Sequence, residues 1–344
     1  MDERQGLSWQ PPADWLRITV IESHTGGEPF RLVVDGLPPI EGNTILERRR
    51  FAQDNLDWLR RALMWEPRGH ADMYGGWMVP PETADGDVGI LFTHNEGFST
   101  MCGHGIIALA KITLETGILS GGADRNVLKI DTPAGRVVAR STIENGVVTL
   151  TSFENVPSFV AALDSFVETD VFGSVSYDLA FGGAFYAFVE AETIGLGLDD
   201  AFALIAAGRL IKRAISESTE ITHADKPDLG FLYGVIFTGP AQTSGNHSRH
   251  VCVFADGEVD RSPTGTGVSA RLALLHARGD IRPGEEVVIE SISGASFTGI
   301  VSAIAESNGQ VTVVPVVSGS AHMSGRSELW IDPADSLGRG FLLR

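Results

Sequence analysis

The sequence predicts an α+β fold assembled from two similar halves, and three observations carry that prediction. Short β-branched runs separated by glycine turns recur along the chain, while few segments show helical periodicity. The regular strand–helix alternation of a doubly wound parallel sheet is missing. Two distant segments, DVGILFTHNEGFSTMCGHGIIALA and RHVCVFADGEVDRSPTGTGVSARLALL, share one plan: buried strand, turn, x-G-x-G, apolar helix. Cys102 in the first and Thr264 in the second stand nearly half the chain apart, as a duplicated unit would place them.

In chain order, residues 1–14 read as a disordered or loosely packed lead-in. WLRITVIESH alternates as a strand and breaks at TGGEP, with FRLVVDGLP as its hairpin partner. TILERRRFAQDNLDWLRRALMWEP carries helical periodicity, apolar at Phe51, Leu56, Leu59 and Leu63. DVGILFTHNEG is a buried strand ending in a turn, and GIIALAKITLETG a helix closed by Gly117. PAG and ENG mark hairpins between the β-branched runs that follow. DDAFALIAAGRLIKRAISES is helical; GVIFTG, HVCVFADGEV, EEVVIESIS, QVTVVPVV and SELWID are strand-like.

At 344 residues, 43% hydrophobic and 20% charged, the chain has the composition of an ordinary globular protein with a sizeable core. Its net charge of −18 repels phosphate backbones and anionic lipid, which argues against nucleic-acid and membrane partners. The acidic opening is unlike a signal peptide, and no apolar run approaches the ~20 residues of a membrane helix. With two cysteines, Cys102 and Cys252, there is no disulfide framework, so a reducing cytoplasm is the expected compartment.

Cys102 stands where a helix begins, and unpaired N–H groups there favour thiolate over thiol. Gly103 and Gly105 leave the backbone amides open to a ligand. Gly265-Thr266-Gly267 repeats the arrangement without a thiol, and two facing cradles suit a small carboxylate held from both sides. Asp260, just upstream, reads either as a turn aspartate or, with His104, as a grip for an ammonium. Carboxylate plus ammonium describes an amino acid. Cys252, inside a strand, reads as core. His247 and His250 lack a third ligand at zinc-like spacing and read as a solvated loop. None of the four lysines has a Schiff-base setting. The spacing of Cys102 and His104 argues against a cysteine–histidine pair. EPRGHADMYGG reads as a structured loop of unassigned role.

Six segments in order, SHTGGEPFRLVVDG, EPRGHADMYGG, MCGHGIIALA, FGGAFYAFV, PDLGFLYGVIF and DRSPTGTGVSARLALL, resemble the proline racemase family. The similarity runs from about Trp15 to the C-terminal SGRSELWIDPADSLGRGF. It implies a diaminopimelate-epimerase-like fold: two pseudo-symmetric lobes, each a curved sheet around a central apolar helix, with the site between them. On that plan residues 1–155 form the first lobe, completed by about 325–344, and residues 156–324 the second. The resemblance also implies a homodimer working on a small amino acid without cofactor or metal. The family's two catalytic cysteines map to Cys102 and Thr264, and its substrate contacts to Gly103, His104, Asp260, Gly265 and Thr266. Threonine supplies no thiolate, which tells against two-sided proton exchange, with a proline or 4-hydroxyproline racemase/epimerase and a non-catalytic binder of proline-like amino acids as the alternative readings. A cysteine–threonine pair resembles instead the branch that dehydrates trans-3-hydroxy-L-proline.

Overall fold

The computed structural model describes residues 9–119, 125–307 and 309–343, so the first eight residues of the expected lead-in lie outside the described residues. Within that lead-in, Trp9 packs against the rings of Trp15 and Trp330, which ties residues 9–14 down.

The first half runs β1 (Leu16–Thr25), β2 (Glu28–Asp35), α1 (Ile45–Asn55), α2 (Asp57–Met64), β3 (Tyr74–Val79), β4 (Val88–His94) and β5 (Phe98–Ser99). It continues with α3 (Gly103–Thr116), β6 (Val127–Thr132), β7 (Gly135–Glu144) and β8 (Val147–Glu154). The second runs β9 (Phe159–Thr169), β10 (Gly173–Phe181), β11 (Phe185–Glu190), α4 (Ala201–Ser218), β12 (Leu232–Gly239), β13 (Ser248–Phe254) and β14 (Glu258–Asp260). Then come α5 (Gly265–Arg278), β15 (Val287–Glu290), β16 (Ser296–Ser307), β17 (Gln310–Gly319) and β18 (Ala321–Ile331).

Strand pairing exposes the duplication. β1–β2 and β10–β11 are antiparallel, β2–β3 and β11–β12 parallel, β3–β4 and β12–β13 antiparallel. β4 then pairs β5 antiparallel and β6 parallel, as β13 pairs β14 and β15. The last strand, β18, closes the cycle on β1 in the place β9 takes on β10. β8 and β17 pair with each other and join the halves.

Each half wraps one helix. α3 touches β1, β2, β7, β8 and β18, and α5 touches the matching β9, β10, β11, β16 and β17. A helix enclosed on all sides must be apolar all round, and α3 is buried from Gly103 through Leu114. Its one lysine, Lys111, is kept tolerable by bonds to Glu115 (2.6 Å) and the Val148 carbonyl (2.9 Å). Glycines in the left-handed region, Gly117 and Gly279, end both helices.

Three predictions change. The periodic segment over residues 44–67 is two helices, broken at Leu56, which turns into a second core cluster with Leu59, Leu63 and Trp77. β9, β10 and β16 had no prediction: β9 and β16 leave much of their surface exposed, β10 opens on small polar residues, and all three depend on partners for strand structure. The solvated loop expected at His247 and His250 is instead the approach to β13 and its interior, where His250 is fully buried.

Candidate active site

α3 and α5 meet at their N-termini. A Cβ added at Gly103 would lie 2.6 Å from the Gly265 Cα, and one at Gly265 would lie 2.8 Å from the Gly103 Cα. Only glycine at both positions lets the helix starts touch. The second glycine of each pair has another duty. A Cβ at Gly105 would strike Phe30 at 2.6 Å and the Cys102 sulfur at 2.9 Å, and one at Gly267 would strike Ile236. Gly105, read from sequence as part of a ligand cradle, is therefore required for close packing.

Cys102 is the N-cap of α3. Its sulfur accepts the Gly105 N–H at 3.2 Å and lies 3.2 Å from His104 Nδ1. The pairing that sequence spacing argued against is thus present, because an extended N-cap followed by a helical turn sets the two side chains together. The expected thiolate is not the resting form. Burial pushes the Cys102 thiol well above its ordinary range and the charges of Asp260 and Glu28 add to that, outweighing the Gly105 N–H and the Tyr74 hydroxyl. Burial lowers the His104 pKa as well, so a neutral imidazole faces a protonated thiol.

Thr264 caps α5 with a left-handed backbone, φ 64°, and makes no capping bond. Its Oγ1 is buried and completes no hydrogen bond among the described residues, a cost of roughly 1–3 kcal/mol until a partner arrives. Asp260 ends β14; one of its oxygens accepts the Ser262 N–H at 2.7 Å, so it holds a turn and still faces the site. Thr266 shares a 2.7 Å hydrogen bond with the Tyr186 hydroxyl.

Cys102, Gly103, His104, Asp260, Thr264, Gly265 and Thr266 all line one cavity of about 20 Å³. That space admits a water and no five-membered ring. Cross-half bonds hold it shut: Arg261 N–H to Glu28 (2.7 Å), Arg261 to Asp72 (2.9 Å), Thr100 to the Gly183 carbonyl (2.8 Å) and Ser293 to the Gly26 carbonyl (2.8 Å). Larger clefts, of about 460 and 650 Å³, gather neither thiol nor helix start, so size does not locate this site.

Sequence reasoning missed part of the lining. Cys252 is buried as expected, yet it lines the cavity. Burial raises its pKa well above the ordinary thiol value, and the nearby Thr264 hydroxyl pulls the other way. Three tyrosines, Tyr74, Tyr186 and Tyr233, complete the wall with Met101 and Phe254. A tyrosine in an otherwise apolar strand was the available signal, since a buried hydroxyl needs a partner. Among the described residues no group of three or more His, Cys, Asp or Glu is placed to hold a metal ion, and no helix is long and apolar enough to cross a membrane.

Comparison with known proteins finds relatives over nearly the whole chain. A trans-3-hydroxy-L-proline dehydratase from Colwellia psychrerythraea is 47% identical over 341 residues, covering 98% of this chain and 96% of its own. A trans-L-3-hydroxyproline dehydratase from Xenopus tropicalis is 41% identical over 341 residues, covering 97% of each. Among solved structures, a hydroxyproline epimerase from Agrobacterium vitis, with bound trans-4-hydroxy-L-proline, superposes with a TM-score of 0.90 at 30% identity, covering 95% of this chain and 96% of that one. The fold is therefore the diaminopimelate-epimerase-like one expected. With its doubled strand-wrapped helix and a proline racemase family model matching residues 20–342, the chain belongs to the proline racemase family.

Proposed function

We propose that this enzyme dehydrates trans-3-hydroxy-L-proline to pyrroline-2-carboxylate, with Cys102 as the base. The observation that carries this reading is one thiol on one helix start, facing a threonine hydroxyl on the other. A racemase needs an acid/base on each face of the α-carbon, and Thr264 supplies none. The dehydration needs one face only. In trans-3-hydroxy-L-proline the α-hydrogen and the 3-hydroxyl share a ring face, so their loss is a syn elimination.

The halves part to admit the ring and close again to exclude water. The substrate carboxylate lies between the two helix starts, where N–H groups converge on it. Its ammonium rests against Asp260, which cancels one of the charges that disfavour the thiolate. His104 takes the thiol proton, and the thiolate removes the α-proton. Charge then develops on the carboxylate as an enolate, and the helix-start amides stabilise it. Loss of the 3-hydroxyl leaves an enamine that tautomerises to the cyclic imine. Thr264 bounds the opposite face, and the substrate gives its unpaired hydroxyl a partner. The same reading includes a cytoplasmic homodimer that works without cofactor, supported by the family resemblance, the acidic charge and two free thiols.

The test is incubation with trans-3-hydroxy-L-proline, trans-4-hydroxy-L-proline and L-proline in heavy water. Imine formation from the first alone is expected. Brisk inversion of either of the others would overturn the reading.

A further inference from the structure

The elimination leaves one role unfilled, the acid that protonates the departing hydroxyl, and the segment EPRGHADMYGG still has no role. Its Tyr74 opens β3 and pairs across to His94 on β4, which sets its ring into the cavity of the Cys102 half. The ring packs edge-on against His104 with centroids 4.8 Å apart. The Tyr74 hydroxyl stands beside the Cys102 sulfur, where it favours the thiolate, and meets the Tyr233 hydroxyl at 3.2 Å. Ser99, whose hydroxyl donates to the Met101 carbonyl at 3.1 Å, lies beside both tyrosines.

Resting on the dehydratase reading, we infer that Tyr74 is the catalytic acid for the 3-hydroxyl, placed by its contact with Tyr233 on the ring face that Cys102 attacks. The neighbours are excluded by their own contacts. Tyr186 is committed to Thr266 on the α5 side. His104 holds the proton it took from the thiol against the Cys102 sulfur, 3.2 Å from its Nδ1, and is engaged there through the cycle. Tyr74 is a phenol kept protonated by burial, on the Cys102 side and beside that sulfur.

The step balances without an outside donor. The Cys102 thiolate takes the α-proton, and the electron pair left on the α-carbon moves to form the C2–C3 double bond. The C3–O bond breaks as the leaving oxygen takes the Tyr74 phenolic proton and departs as water. The tyrosinate, a stronger base than a thiolate, then recovers a proton from the Cys102 S–H. Substrate is converted to enamine plus water, and the enzyme returns to thiolate and phenol. A cavity with room for about one water gains from this closed circuit, since the elimination itself draws no proton from outside.

A leaving group that needs no proton separates this role from a structural one. With trans-3-hydroxy-L-proline, Tyr74→Phe should slow imine formation by about 10²- to 10³-fold. Substrate recovered from heavy water should carry deuterium at the α-carbon, because Cys102 still works. With the 3-chloro analogue of the same configuration, Tyr74→Phe should eliminate chloride within about threefold of wild type. Tyr233→Phe, one step further from the sulfur, carries the same test should the first variant not fold: dehydration falls and chloride loss does not. Dehydration at the wild-type rate in a folded Tyr74→Phe overturns the assignment, with the Cys102 S–H, His104 or a water as the donor. Equal losses for both leaving groups also overturn it, in favour of a packing role. If wild type itself yields no imine, the dehydratase reading falls and this assignment with it.

Discussion

Alanine at Gly103 would set a methyl carbon 2.6 Å from the Gly265 Cα, 2.9 Å from the Phe153 ring and 3.0 Å from the Gly265 carbonyl carbon. Ordinary contact begins near 3.4 Å, so the helix starts must part by roughly 0.8 Å. Two of the three obstructing atoms are backbone and cannot swing aside. The fold tolerates this better than the chemistry does. Overpacking costs about 1–3 kcal/mol, and alanine in a helix returns up to about 1 kcal/mol over glycine. The net change corresponds to a melting shift of only a few degrees in a protein of this size. At the site the same displacement separates the two sets of amides that, in the proposed function, grip one carboxylate. A misplacement of about 1 Å costs on the order of a hundredfold in rate. Calorimetry paired with kcat/KM on trans-3-hydroxy-L-proline should therefore show a near-native Tm and a loss of about two orders of magnitude. Gly105→Ala, which strikes Phe30 in the core, should lose stability as well. A folded Gly103→Ala enzyme with wild-type kcat/KM would refute the argument that contact between the helix starts sets the geometry.

Cys102→Ala should abolish both imine formation and α-deuterium exchange while the protein stays folded; residual exchange above background would remove the thiol from the scheme. Thr264→Cys should gain proton exchange into L-proline or epimerisation of trans-4-hydroxy-L-proline, measured under reductant because Cys252 lies beside it. A folded, proline-binding variant with no such gain counts against the two-face geometry. Burial, Asp260 and Glu28 hold the Cys102 thiol above its usual range, and with the thiolate as the proposed base kcat/KM should climb with pH past about 8.5. Asp260→Asn removes one of those charges and should move the rise to lower pH, even as it weakens substrate binding; a plateau below pH 8 in wild type contradicts this. Glu290 offers an acid-stability check. Burial works against its carboxylate, but the Gln242 and Thr243 N–H groups and the Asn246 amide outweigh it and hold the pKa at about 2. A depressed folded pKa contributes stability above the unfolded value, near 4.3, that is lost as pH falls towards 2. Glu290→Gln should flatten the unfolding curve in that window, and an unchanged curve would refute the role.

The repeat that locates the site was legible because it is local. Each unit places a buried strand, a turn and a glycine-flanked helix start within about 25 consecutive residues, and each step has a sequence mark: the continuous apolar run of β4, the glycines, the C-terminal Gly117 and Gly279. That sufficed to bring forward Cys102, Gly103, His104, Asp260, Thr264, Gly265 and Thr266, which the structure gathers around one cavity. The break at Leu56 was not legible, since the apolar period continues across it and only the second core cluster fixes the change of direction.

What the sequence alone determined is therefore the class of fold, the doubling, and the chemical difference between thiol and hydroxyl at matched helix starts. Tertiary structure decided the rest, because each remaining feature depends on residues far apart in the chain. Tyr74 reaches Tyr233 only when the two halves close, and Glu28 meets the Arg261 backbone across the same boundary. Cys252 is core, as its strand suggested, and is also cavity wall, since which face of a strand meets a cavity is set by what packs opposite. The ionisation of Cys102 turned the same way. A helix start favours a thiolate locally, but burial is a property of the whole fold, and here burial is the larger effect.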